Sequence, residues 1–354
     1  MDFIFDFGNA RGKWFFPKAE GGGDYGDFRH AIYDMKEHEW DQVVGRGKPP
    51  KGILRINGAP YAVGDAARKY VIKERPKGAS RYRPDYYGVG LAFAMTTCFG
   101  QGMLENKQIR KRNIVIFGSH APHDVEYASS LVDAAKGTWE IESEYGRLEF
   151  QVVDVVTFDE PLGGYSHFAF TEKGSPQKSA KFIFENDTLV VDAGGYTIDV
   201  AAVDEGGNID ILSLESTRSG TIDMTTNFER AMRSANKLLF QDTGDIDVKR
   251  IEAAILSGTY QMGKTIIDCS AEAHAALSAL TNDVVQRINA SGGVANFPYI
   301  LLTGGGSILL HNYLEQALPR AQFILADPSP ERMKYANVFG GAKIAALLRK
   351  QELL

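Results

Sequence analysis

Two short stretches of the chain carry the residue types that handle a phosphate group and its metal. Residues 3–15 read FIFDFGNARGKWF and residues 189–201 read LVVDAGGYTIDVA. Aligned on the aspartates, Asp6 matches Asp192, Gly8 matches Gly194, Asn9 matches Gly195 and Lys13 matches Asp199. In each, an apolar strand runs into an Asp, then a glycine-bearing turn, then a second strand. A carboxylate ending Phe-Ile-Phe or Leu-Val-Val is costly without a partner. A hydrated Mg²⁺ is such a partner, because it takes oxygen ligands and keeps several waters. Glycines let the turn adopt positive φ and bring backbone N–H groups against phosphate oxygens. Lys13 can reach a phosphate as a point charge. Either stretch alone also reads as an ordinary hairpin with a tight glycine turn. Together, one in each half of the chain, they point to two related turns that clamp a nucleotide phosphate tail and its metal.

Five further stretches could add chemistry. Leu301–Ser307 (LLTGGGS) is a strand entering three glycines and then a helix. Backbone can approach a flat ligand there, and a helix N-terminus favours negative charge. The plain alternative is a strand-to-helix turn capped by Ser307. Phe158–Phe168 (FDEPLGGYSHF) sets Glu160 beside Pro161 at a helix start, followed by Gly163 and Gly164, whose small size suits a close helix crossing at a hinge. An acid there also simply offsets the helix dipole. In Asn337–Ala342 (NVFGGA), Gly340 and Gly341 interrupt a helical pattern, explained either by packing against the Glu160 helix or by a kink. His120, His123 and Asp124 are metal-ligand types in what reads as a loop. Lys249 and Glu252 start a helix whose outer face is solvated or touches a base or ribose.

The elements needed to hold these residues follow from periodicity. Asp2–Phe7 with Lys13–Phe16, and Ile53–Val63 turning at Asn57-Gly58, read as hairpins. Residues 20–50 are rich in glycine and charge and read as an exposed insertion. A helix over Tyr87–Leu104, a strand at 113–117, a helix at 124–135, two strands within 138–156 and a helix over 160–170 follow. Residues 171–186 read as a crossover. The second half repeats the scheme: strands at 188–193, 196–203 and 208–214, and helices at about 220–239, 247–256 and 270–290. A strand at 299–303, a helix at 307–318, a strand at 322–325 and one closing helix over 331–349 complete it. Strands alternating with helices in both halves predict two α/β domains. The repeated stretch predicts an internal duplication.

Composition excludes several classes. The chain has 354 residues, 44% of them hydrophobic, enough for about two full-sized cores. A net charge of −6 argues against direct, sequence-independent nucleic-acid binding, and the basic runs at 77–83 and 107–112 read as solvated loops. Two cysteines, Cys98 and Cys269, in helical contexts fit buried thiols in a reducing cytoplasm. The acidic N-terminus enters a strand at once, so no signal peptide is expected, and no apolar run is long enough for a membrane span.

In order along the chain, DFGNARGK, EPLGGYSHF, VVDAGGYTIDVA, LLTGGGS and NVFGGA resemble the five-motif signature of the actin-like ATPase superfamily. The resemblance covers the whole chain. INGAPYAVGDAA at 56–67 and the Tyr86–Tyr87 helix look like ParM-type plasmid-segregation actins and related archaeal and bacterial actin-like proteins. The resemblance implies two duplicated ribonuclease-H-like α/β domains flanking a central nucleotide cleft. Domain I would span residues 1–170 and 326–354, with an insertion at about 20–87, and domain II residues 171–325. It implies that Asp6, Gly8, Asn9 and Lys13 form the first phosphate loop and that Asp192, Gly194, Gly195, Tyr196 and Thr197 form the second. Asp6 and Asp192 would attend the Mg²⁺. Gly304, Gly305, Gly306 and Ser307 would form the adenosine motif. Glu160 would position or activate the attacking water, with Gly340 and Gly341 on the second hinge helix. Arg218, Gly220 and Asp223 would lie toward the nucleotide sugar, and Glu252 is the separate candidate for a base or ribose contact. Asn9 departs from the Ser or Thr of many members, replacing a hydroxyl contact by an amide or by backbone alone.

The expected activity is therefore hydrolysis of ATP to ADP with Mg²⁺, coupled to polymerisation into filaments. A cytomotive or cytoskeletal role such as plasmid or DNA segregation would act through a separate DNA-binding adaptor, with no direct nucleic-acid or membrane partner. The rivals are a small-molecule kinase of the same fold, which would need an acceptor pocket with its own base, and a non-polymerising assembly or chaperone-like ATPase. A chaperone would be expected to carry a substrate-binding domain beyond Leu354.

Overall fold

Strands β1 (Asp2–Phe7) and β2 (Arg11–Pro17) form the antiparallel hairpin expected of the first stretch, with Asp6 opposite Lys13. The computed structural model describes residues 1–8, 11–45, 47–70, 84–103, 112–121, 128–210, 215–217, 220–241, 246 and 248–353. Asn9, His123, Asp124, Arg218, the basic run at 77–83 and most of that at 107–112 lie outside the described residues. The chain forms two compact units, Met1–Lys178 with Tyr335–Leu354, and Ser179–Lys334.

The first unit continues with β3 (Gly23–Arg29), β4 (Ile32–Asp34), α1 (Glu37–Val44), β5 (Ile53–Ile56) and β6 (Ala59–Val63). Then come α2 (Pro84–Met103), β7 (Arg112–His120), α3 (Ala128–Ala135), β8 (Gly137–Ser143), β9 (Gly146–Asp159) and α4 (Glu160–Ala169). Nine strands make one sheet in the order β3-β2-β1-β7-β9-β8-β5-β6-β4. The region expected as an exposed insertion is thus corrected at residues 23–29, where β3 extends the main sheet along β2. Its glycines are there for aromatic packing: a Cβ on Gly26 would meet the Trp14 ring at 2.8 Å. Strand β1 is buried on both faces. Phe3, Phe5 and Phe7 pack with Tyr87, Leu91 and Met95 of α2, and Ile4 joins Phe117 and Phe158 on the opposite face.

The second unit holds β10 (Thr188–Ala193), β11 (Ile198–Val203), β12 (Glu215–Thr217), α5 (Thr221–Ala235) and α6 (Val248–Ser257). A small hairpin, β13 (Thr259–Met262) with β14 (Thr265–Asp268), is followed by α7 (Ser270–Ala290) and α8 (Gly293–Asn296). Then come β15 (Tyr299–Thr303), α9 (Ser307–Ala317), β16 (Gln322–Leu325) and α10 (Pro330–Met333). Its sheet runs β12-β11-β10-β15-β16. The strand expected at 208–214 is instead a turn with an isolated bridge between Val203 and Ile209, and 211–214 lie outside the described residues. In both units the Asp-bearing strand pairs antiparallel with the strand after its turn and parallel with a later one: β1 with β2 and β7, β10 with β11 and β15. The duplication read from the sequence is therefore a duplication of topology.

The chain returns to the first unit in α11 (Ala336–Lys350). The single closing helix expected over 331–349 is two, because Ser329 caps the short α10 and the chain breaks at Lys334–Tyr335. Helix α11 packs on α4 through the glycines of both. A Cβ on Gly340 would overlap the Gly163 carbonyl oxygen and lie 2.5 Å from its carbon. Close packing, not a kink, is what these glycines permit.

Candidate functional site

In the first unit, Asp6 stands one residue from the end of β1 and is 1% exposed. Lys13, opposite it on β2, donates from Nζ to Asp6 Oδ2 at 3.0 Å. Its other carboxylate oxygen, Oδ1, is buried and takes no hydrogen bond among the described residues. Strand β7 sets Ser119 in register on its far side. The carbonyl of Gly8 lies 3.1 Å from His30 Nδ1, and the buried His30 ring rests on Phe7 at 4.0 Å between centroids. The turn therefore leaves β1 against a fixed imidazole.

Glu160 opens α4 with Pro161 behind it, and it is buried. The preceding Asp159 occupies the cap position but does not cap the helix. Its Oδ1 lies 3.4 Å from His120 Nδ1. Burial raises the Asp159 carboxyl above its ordinary pKa, and His120 opposes that rise. His120 is the last residue of β7, not a loop residue, because β9 pairs alongside β7 as far as Asp159. No three His, Cys, Asp or Glu gather as a metal-binding group among the described residues.

In the second unit, Asp192 occupies the equivalent place on β10 and is 3% exposed. Where the first copy sets Lys13 across the hairpin, this one sets a second buried carboxylate, Asp199. Thr197 Oγ1 donates to Asp199 Oδ2 at 2.8 Å, so that hydroxyl's proton is already directed inward. Strand β15 brings Thr303 into register beside Asp192.

The turn from Gly194 to Thr197 is held from behind by main-chain donors. Gly194 N–H donates to Thr197 O at 2.9 Å. The carbonyls of Ala193, Gly194 and Gly195 accept from the amides of Gly306 at 2.9 Å, Thr221 at 3.2 Å and Ile222 at 2.7 Å. Two elements thus converge on it, the glycine turn after β15 and the first residues of α5. Gly220 permits the second approach, since a Cβ there would sit 2.6 Å from the Gly195 carbonyl carbon. Tyr196 is half-buried in the turn, while Asp223 on α5 and Glu252 on α6 are exposed.

The three glycines have different reasons. Gly304 has φ +81°, and a Cβ there would overlap Asp192 Oδ1 and come 2.7 Å from Ala193 O. At Gly306 it would meet Thr221 Cγ2 at 2.5 Å. Gly305 is exposed, and the nearest atom to its Cβ would be Lys334 Cβ at 3.5 Å, an ordinary contact. Ser307 is not a cap: Gly306 holds that position, and the buried Ser307 hydroxyl donates to the Thr303 carbonyl.

Mg²⁺ suits these donors. It asks for one or two carboxylates and keeps waters for the rest of its shell. The unpaired buried Oδ1 of Asp6 is the kind of oxygen that a metal-held water satisfies. The carboxylate pair of Asp192 and Asp199 calls for positive charge nearby. Ser119, Thr303, Thr221 and Ile222 escaped the sequence reading. Their roles come from pairing with strands and turns distant in sequence, and only Gly220, just ahead of α5, hinted at the last two.

Residues 190–316 match the family described as archaeal actin homologue MreB-like, C-terminal. No curated protein matches the chain. Among solved structures, an archaeal actin homologue is 16% identical, covering 98% of both chains with a TM-score of 0.72. The same homologue in complex with ADP gives 0.68. The apo ParM protein of psk41 is 16% identical over 100% of this chain and 99% of its own, with a TM-score of 0.69. Bacillus thuringiensis ParM with AMPPNP is 12% identical over 98% of both, with a TM-score of 0.67. The chain therefore carries an actin-like fold. Within it, the architecture is close to that of archaeal actin homologues and ParM proteins.

Proposed function

We propose that this chain is a filament-forming ATPase that binds Mg–ATP, hydrolyses it and uses the cycle in a cytomotive role such as DNA segregation. The observation that carries the reading is the doubled turn. Each unit ends a buried strand in an aspartate beside a glycine turn, and the second is tied to a triple-glycine turn and a helix start. With the carbonyls of Ala193, Gly194 and Gly195 engaged from behind and the Gly194 amide turned to Thr197 O, the later amides of this turn are its offering to phosphate oxygens. On this reading Asp6, Gly8, Asn9 and Lys13 would be the first unit's phosphate contacts, and Asp6 and Asp192 would be the carboxylates able to hold waters of a metal. Gly304–Gly306 receive the adenosine, with Gly220 and Glu252 toward the sugar and base. Positioning and charge neutralisation do most of the work in phosphoryl transfer. The archaeal homologue solved with ADP and the ParM solved with AMPPNP support a nucleotide here.

Self-association into a polymer follows the ParM likeness, with an adaptor protein as the link to DNA. The proposed setting is the cytoplasm; among the described residues no helix is long and apolar enough to cross a membrane. Phosphate release and light scattering after adding ATP, with and without Mg²⁺, test both halves of the proposal. Mg²⁺-dependent release with a scattering rise supports it, while release without scattering under several salts leaves a non-polymerising ATPase. Asp192→Ala should lower turnover at least about tenfold, because a metal anchor worth more than about 1.4 kcal/mol in the transition state is removed. Wild-type turnover in that variant would remove the second turn from the site.

The triple glycine supplies a separate test. Gly304→Ala forces a side chain at φ +81° into Asp192 and should destabilise the fold by about 1–3 kcal/mol. Gly305→Val meets nothing but an ordinary contact, so the denaturation midpoint should stay put. Nucleotide affinity should nevertheless fall about 5- to 150-fold, for about 1–3 kcal/mol of lost contact with the adenosine. Unchanged ATP affinity in a folded Gly305→Val protein contradicts the placement of the adenosine.

A further inference from the structure

Each aspartate has a hydroxyl neighbour that its own glycine turn does not include. Strand β7 places Ser119 beside Asp6, and β15 places Thr303 beside Asp192, each one strand over in parallel register. The two hydroxyl residues are therefore equivalent in the duplicated topology. Ser119 is 1% exposed and Thr303 is 0% exposed. Both hydroxyl oxygens are buried and without a hydrogen bond among the described residues, an unfavourable condition that native interiors rarely tolerate. An apolar residue of the same shape would be the more stable choice at either position. In parallel strands, residues in register project to the same face, so each hydroxyl stands on its aspartate's side of the sheet.

We propose that Ser119 and Thr303 are positioning residues for Asp6 and Asp192. Each hydroxyl is kept unpaired so that it can donate to its neighbouring carboxylate, directly or through one water, when the aspartate engages Mg–ATP. This rests on the proposed function. A carboxylate whose own acceptor sites are ordered holds metal-bound water in one geometry, and the loss of such outer partners typically weakens metal affinity by 10–100-fold. The recurrence of the arrangement in both units speaks against chance. So does its chemistry, since both positions take a hydroxyl residue on strands that carry apolar residues just ahead, Ile116 and Phe117 on β7 and Leu301 and Leu302 on β15.

The test uses Ser119→Ala and Thr303→Val, with Ser119→Thr and Thr303→Ser as conservative partners and Asp192→Ala as control. Two quantities are measured on the full chain: the Mg²⁺ concentration giving half-maximal ATP turnover, and the denaturation midpoint without nucleotide or Mg²⁺. Each apolar variant should need at least about tenfold more Mg²⁺ while its midpoint rises or holds. The hydroxyl-keeping variants should need the wild-type amount. A midpoint that falls in both apolar variants overturns the proposal, because the hydroxyls would then be structural. An unchanged Mg²⁺ requirement in both also overturns it, and if Asp192→Ala is impaired in the same assay the ATPase reading stands without it. No Mg²⁺-dependent turnover in the wild type overturns both.

Discussion

Replacing Glu160 by Gln should leave Mg–ATP bound and nearly stop its hydrolysis. The side chain is buried at the first position of α4, and that helix has little freedom to move. Its glycines lock against α11 on one side, and Asp159 is drawn toward His120 at the other. A carboxylate so fixed can orient a water or take its proton, while Gln keeps the shape and loses the basicity. General-base and positioning roles typically contribute 10²–10⁴-fold, or about 3–5 kcal/mol in the transition state, and little to ground-state binding. Phosphate release should fall by that factor with an unchanged dissociation constant for a non-hydrolysable ATP analogue. If hydrolysis destabilises the polymer, light scattering after a single ATP addition should reach a plateau and hold instead of decaying. Normal phosphate release in Glu160→Gln removes this residue from the reaction.

Much of the fold was legible in the chain. The aspartate alignment at 6 and 192 anticipated strands that are equivalent in topology, because an apolar run ending in Asp and Gly leaves few alternatives. Asn57-Gly58 gave its hairpin for a local reason: both residues have positive φ, 48° and 88°, as the tight turn requires. Strand β3 was hidden because its glycines and acids mask alternation. Its partners are aromatic rings of β2, a contact that no local pattern announces. The hairpin of β13 and β14 was missed for a similar reason, since only Tyr260 and Ile267 of its residues are deeply buried. The site divides along the same line. That the candidate residues sit on or beside strand-ending turns was legible from spacing, while their part in binding is the proposal. Ser119 and Thr303 were not legible, since each owes its place to a strand that pairs across more than a hundred residues of chain.

Gly340→Ala should be the most destabilising single methyl group in the first unit. In an exposed helix the same change would help, since alanine is favoured over glycine by about 1 kcal/mol. Here the added Cβ has the Gly163 carbonyl in its place, and that group is backbone of α4 and cannot rotate away. The helices must separate, and the packing of Val338 and Phe339 with Phe158 and Ile4 must loosen with them. Overpacking of this kind costs about 1–3 kcal/mol and more where backbone blocks relaxation, so a net loss of about 3 kcal/mol is expected. Gly305→Ala, which meets only an ordinary contact, is the control and should stay within about 0.5 kcal/mol of wild type. Chemical denaturation of both variants decides the matter. An unchanged midpoint for Gly340→Ala would mean that the two helices have room between them, and the close crossing of α4 and α11 would no longer explain the glycines. A large loss, with Glu160 turnover falling in the same protein, would tie the position of that carboxylate to the helix crossing behind it.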